Sequence, residues 1–112
     1  MQPKLFEKTG ETVAIEDILL YALGDFQSRG KVLVDRELAL DRLRGAFLRA
    51  FAKYGVGERL DEEIVTGLRK LGARVSEVPS FVAKHPYRVM VFTALAEKSF
   101  EAYKRQIVII KN

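Results

Sequence analysis

One histidine and no cysteine limit the covalent and acid–base chemistry open to this chain. His85 stands between Lys84 and Pro86, so any nucleophile–histidine pair must rest on this single ring. A metal site built from several imidazoles or thiolates cannot be assembled. Pro86 keeps His85 out of helical geometry, which reads as a turn rather than as a catalytic base. The run Asp61-Glu62-Glu63 has the charge to attract a cation, but at the start of a helix it is accounted for by the positive end of the helix dipole. Tyr54-Gly55-Val56-Gly57 carries a Gly-x-Gly, yet it follows a helical pattern and lacks the third glycine and the preceding strand of a dinucleotide loop. No Walker sequence is present. The chain therefore reads as a non-enzyme, with no cofactor and no metal.

What remains is charge. The net charge is +4, and residues 1–35 carry four basic and six acidic groups against fifteen and nine in residues 36–112. Such asymmetry suits a polyanion partner for the second part, although a solvated basic surface produces the same count. The basic residues that gather in sequence are Arg69, Lys70 and Arg74, then Lys84, His85 and Arg88.

These residues must be positioned by a small mixed domain. At 112 residues, 48% hydrophobic and 30% charged, the chain fits one globular domain over 1–112. Its apolar runs are too short to span a bilayer, and residues 1–8 offer no hydrophobic segment for export. The expected compartment is the cytoplasm. Residues 4–15 suggest a hairpin turning at Thr9-Gly10. Ile15, Ile18, Leu19, Ala22 and Phe26 recur at helical spacing and predict a helix over 15–28, closed by Gly30. Val32 and Val34 suggest a strand at 31–34, and Asp35 is placed to cap a helix reaching Tyr54. In that helix Leu40, Leu43, Phe47, Phe51 and Tyr54 form one stripe, with Arg42, Arg49 and Lys53 nearly opposite as its wet side. Asp61 can cap a third helix whose Ile64, Val65, Leu68 and Leu71 precede a glycine stop at Gly72. Residues 73–82 read as extended, with Pro79 favouring an edge or a bulge, and 87–92 as a central strand. A helix over 93–105 follows, with Leu95, Ala96, Ser99 and Tyr103 on a small-residue face and Glu101 and Arg105 paired at i,i+4. Its small residues suit close packing on the sheet, and nothing polar and convergent marks a small-molecule pocket there. The last apolar run, Ile107, Val108, Ile109 and Ile110, reads as a strand with no polar face.

The stretch Leu68-Arg69-Lys70-Leu71-Gly72-Ala73-Arg74-Val75 passes from helix through a glycine stop into a strand. Together with the order helix, strand, helix, helix, strand, wing, strand, this resembles a winged-helix domain over about residues 14–92. The resemblance rests on topology, not on signature residues. It implies an α+β fold extended by an N-terminal hairpin and a C-terminal helix and strand. It also implies that the helix before Gly72 is a recognition helix and that 79–86 is the wing. The groove-facing side would then be Glu62, Thr66 and Arg69, flanked by Glu63 and Lys70. The expected function is non-catalytic nucleic-acid binding, with Arg69, Lys70, Arg74, Lys84, His85 and Arg88 meeting phosphates. The alternative is a protein–protein or assembly module. In it Ile107, Val108, Ile109 and Ile110 either complete the domain's own sheet or add to a second copy's sheet edge as a homodimer.

Overall fold

In the computed structural model, residues 14–79, 81 and 86–111 are described, with 108–111 traced as backbone. The chain is a small α+β domain whose described part holds four helices and one three-stranded antiparallel sheet. Helix α1 spans Ile15–Ser28, strand β1 Glu37–Ala39, helix α2 Leu40–Lys53 and helix α3 Asp61–Leu71. Strands β2 (Arg74–Glu77) and β3 (Tyr87–Met90) follow, and helix α4 covers Thr93–Lys111. The hairpin expected at 4–15 lies outside the described residues.

Helix α1 matches the bounds read from its periodicity and is the centre of the fold, packing on α2, α3 and α4. Its apolar residues Ile18, Leu19, Ala22, Leu23 and Phe26 are all buried. The expected α2 stripe is buried through Leu40, Leu43, Phe47 and Phe51, joined by Ala46 and Ala50, while Tyr54 is only partly covered. Full burial of a leucine or phenylalanine side chain is worth about 1.5–3 kcal/mol, so these helix contacts dominate the core.

The first strand is not where β-branching placed it. Residues 31–33 are irregular, Val32 is 55% exposed, and Val34 makes only an isolated parallel bridge with Val91. Asp35 explains the shift: it sits at φ 57° with its N–H donated to the Val91 carbonyl, so the chain turns there and pairs afterwards. Asp35 consequently caps nothing. β1 runs directly into α2 through Ala39, because the ladder to β3 claims Glu37, Leu38 and Ala39. The register aligns Leu38 and Val75 with Val89, all three buried on the core face. β3 lies between β1 and β2, the central position its apolar pattern demands. Of the long extended stretch expected at 73–82, the described strand is Arg74–Glu77.

The C-terminal strand is overturned, because residues 107–110 continue α4. Four consecutive apolar residues do not distinguish a strand from a helical turn. No glycine or proline stands between Thr93 and Lys111. Extending a formed helix adds one hydrogen bond per residue fixed, so nothing interrupts it. The small-residue face of α4 packs on α1, not on the sheet. Gln27 Nε2 donates to the Ala96 carbonyl at 3.0 Å and to Ser99 Oγ at 2.9 Å, and Tyr21 packs against Tyr103 at 5.1 Å between ring centroids. These pairs rise along one helix as they fall along the other, so α1 and α4 are antiparallel. Glu101 pairs with Lys104 at 3.3 Å rather than with Arg105.

Candidate nucleic-acid interface

Helix α3 begins one residue earlier than its acidic run suggested, with Leu60 as N-cap and Asp61 as the first helical residue. The acids there are largely consumed within the protein. Glu63 Oε1 accepts the Leu60 N–H at 3.2 Å, closing the first turn. Asp61 meets Arg44 of α2 at 3.2 Å, and the same guanidinium holds Asp41 at 3.0 Å. Hydrogen bonds to these two carboxylates raise the Arg44 pKa above its ordinary value. Glu62 is exposed and has no side-chain hydrogen bond or ion pair among the described residues, while Thr66 turns its hydroxyl back to the Glu62 carbonyl at 2.9 Å. The dipole argument alone missed Arg44, which reaches the run from another helix.

The far end of α3 stops as expected at Gly72, which takes φ 106° and is followed closely by β2. Here the basic residues divide. Arg69 Nη2 donates to the Val75 carbonyl at 3.0 Å, tying α3 to the strand at the open edge of the sheet. Lys70 points the other way, 3.8 Å from Glu16 of α1, an exposed pair of little energetic weight. Arg74 and Arg88 lie on the outer face of the sheet, since their neighbours Val75 and Val89 face the core. The register pairs Arg74 with Met90 and Ser76 with Arg88, making the two arginines diagonal neighbours. The Arg74 guanidinium sits 5.6 Å from the ring centroid of Phe92, which is 40% exposed. Lys84 and His85 lie outside the described residues.

The opposite side of the hairpin is acidic. Partial burial, followed by the carboxylates of Glu77, Glu62 and Asp61, pushes the Tyr87 phenol above its ordinary pKa. Positive charge is therefore offered by the outer sheet face and the carboxyl end of α3, and not by the amino-terminal turn of α3. Phe92 and Met90 were not singled out from sequence. The alternation of 88, 90 and 92 on one face, with 74 and 76 on the paired strand, was the signal that would have found them.

Comparison with known proteins decides nothing further. No family model, curated protein or solved structure matches the chain.

Among the described residues no group of three or more histidine, cysteine or acidic side chains is placed to hold a metal ion. No helix among them is long and apolar enough to cross a membrane. What the arrangement offers is guanidinium groups beside an exposed aromatic ring, a set suited to phosphates and to base or sugar faces.

Proposed function

We propose that this domain is a winged-helix-like, non-catalytic nucleic-acid-binding module. The observation that carries the reading is the junction at Gly72: α3 gives way there to β2, with Arg69 at the strand edge and Arg74 and Arg88 side by side on the outer sheet face. The element order and the sheet order β1-β3-β2 support it, because they put the helix immediately before the hairpin and beside it. Consumption of Asp61 and Glu63 by internal contacts removes part of the repulsion a duplex would meet at α3. In this reading Arg69, Arg74 and Arg88 contact phosphates, Lys70 adds a flanking charge, and Lys84 and His85 extend the contact through 79–86. Such binding is electrostatic in the main and carries little sequence preference by itself.

The test is fluorescence anisotropy of a labelled random-sequence duplex across a salt series. Affinity falls steeply with salt. In Arg74→Glu and Arg88→Glu the slope of log affinity against log salt shrinks in magnitude by about 0.9 for each phosphate that the variant no longer neutralises. Absence of binding at low salt, or an unchanged slope in both variants, refutes the proposal.

A second reading, assembly of copies, draws on a different observation. α4 continues through 107–110, and its antiparallel course carries this apolar run to the amino-terminal end of α1. Association there joins helices rather than adding a strand to a sheet, and light scattering of the intact chain against one ending at residue 106 distinguishes it.

A further inference from the structure

The sheet is closed on one side only. Leu38, Val75 and Val89 seal its inner face against the core. On the outer face Glu37, Arg74 and Ser76 are exposed, and Ala39, Arg88 and Met90 are only partly covered by the described residues. The register sets these side chains in two rows, Glu37, Met90 and Arg74 in one and Ala39, Arg88 and Ser76 in the next. Phe92 continues the alternation of 88 and 90 past the end of β3. At the other end the Val78 N–H donates to the Pro86 carbonyl at 2.7 Å, which carries the hairpin one step beyond its last paired residues. Phe81 lies in the connection that follows and is 88% exposed.

Among the described residues the exposed aromatic rings are Phe81 and Phe92, so both bound the same hairpin. Phe92 is also the ring that Arg74 covers, and the same guanidinium donates through Nη2 to Met90 Sδ at 3.6 Å. Two soft, uncharged partners therefore orient Arg74 over the sheet without neutralising it. The carboxylate in its row, Glu37, stands two strands away, about 10 Å at ordinary strand spacing. The face thus carries two guanidiniums against one carboxylate, with a planar cation and an aromatic ring held together at its edge.

We propose that this face binds single-stranded nucleic acid. An unpaired base stacks on the Arg74–Phe92 pair, the phosphates beside it meet the guanidinium edges of Arg74 and Arg88, and Phe81 offers a second ring at the far end of the hairpin. The inference rests on the nucleic-acid reading above and narrows it to a strand with unpaired bases. A duplex satisfies the arginines but keeps its base faces stacked on one another, so it leaves the rings in water. An acidic peptide satisfies the same charges and equally leaves the rings unused. From Phe92 to the end of the hairpin the strand runs about 20 Å, the reach of a few nucleotides.

The experiment is anisotropy titration of the intact protein across a salt series. The probes are labelled oligothymidylate about twelve nucleotides long, and its duplex with oligodeoxyadenylate. For the single strand, Phe92→Ala weakens binding about fivefold or more at every salt concentration and leaves the salt slope unchanged, because stacking releases no counterion. The same variant binds the duplex as the native protein does. Arg74→Gln reduces the single-strand slope by about 0.7, the loss of one phosphate contact. The chain has no tryptophan, so Phe92→Trp places a lone fluorophore at the site. Its emission is quenched by the single strand and not by the duplex, and it decides the matter if the alanine variant loses its fold. Single-strand affinity unchanged in a folded Phe92→Ala, or a tryptophan that the single strand does not quench, overturns the proposal. Duplex binding in the same series then leaves the broader function standing. Release of the labelled strand by polyglutamate as readily as by unlabelled oligothymidylate assigns the face to an acidic peptide and also overturns it. If neither nucleic acid binds at low salt, the broader function falls with it.

Discussion

Asp25 shows how one buried charge reorganises a surface. It is only 4% exposed, and its two oxygens are held by Arg29 at 3.2 Å and by Arg49 at 2.6 Å, both from largely wet positions. Arg49 had the look of a solvated ridge residue on α2, together with Arg42 and Lys53. In the structure it anchors α2 to α1. The energetics are asymmetric. In Asp25→Asn the two arginines regain water and the amide keeps part of the hydrogen bonding. In Arg29→Ala/Arg49→Ala a buried carboxylate is left without its partners, a change worth about 3–5 kcal/mol. Denaturant melts of the two variants should therefore rank the arginine pair as clearly the more destabilising, and equal losses contradict the account. The signal was present in sequence as an acid on the apolar side of a helix, but its partner 24 residues away was not.

At the scale of elements, two glycines mark how closely helices approach, and they do so differently. A Cβ on Gly24 of α1 would lie 2.3 Å from Tyr103 Cβ and 2.4 Å from the Ser99 carbonyl oxygen of α4. Neither of those atoms can swing away. A Cβ on Gly67 of α3 would lie 2.7 Å from Leu19 Cδ1, the end of a side chain that can change rotamer. Gly24→Ala should thus cost at least the roughly 1–3 kcal/mol of an overpacked core and separate α1 from α4. In Gly67→Ala the gain in helix propensity, about 0.8–1 kcal/mol, offsets much of the strain. Thermal melts of the two variants check the ranking, and a Gly67 variant as unstable as the Gly24 variant contradicts it. The helices α1, α2 and α3 were legible because their stripes repeat over eleven or more residues. The β1 position and the end of α4 were not. β1 is three residues long and is set by its register with β3, which is about fifty residues away in the chain. The 107–110 run is short and uniformly apolar, so its state follows from the helix before it. Of the candidate site, the basic residues were legible singly, while the outer face that joins Arg74, Arg88 and Phe92 required the strand register.

Tyr21 of α1 and Tyr54 at the end of α2 tie the whole molecule to pH. Tyr21 touches both Tyr54 and Tyr103, so three helices share one aromatic cluster. Burial is the first cause of the raised pKa at Tyr21 and at Tyr54. In the unfolded chain both phenols ionise near their ordinary value of about 10. In the folded chain they hold their protons to higher pH. Above about pH 10 the unfolded state therefore binds fewer protons than the native state, and stability falls with rising pH until the folded phenols ionise as well. Below that range the stabilisation is fully present. Lysine titration also acts in this region, so the comparison must be internal. Melting temperature followed from pH 8 to about pH 11 should drop more steeply for the native sequence than for Tyr21→Phe/Tyr54→Phe, which retains the rings but has no phenol to ionise. Parallel curves would mean that the phenols ionise alike in both states.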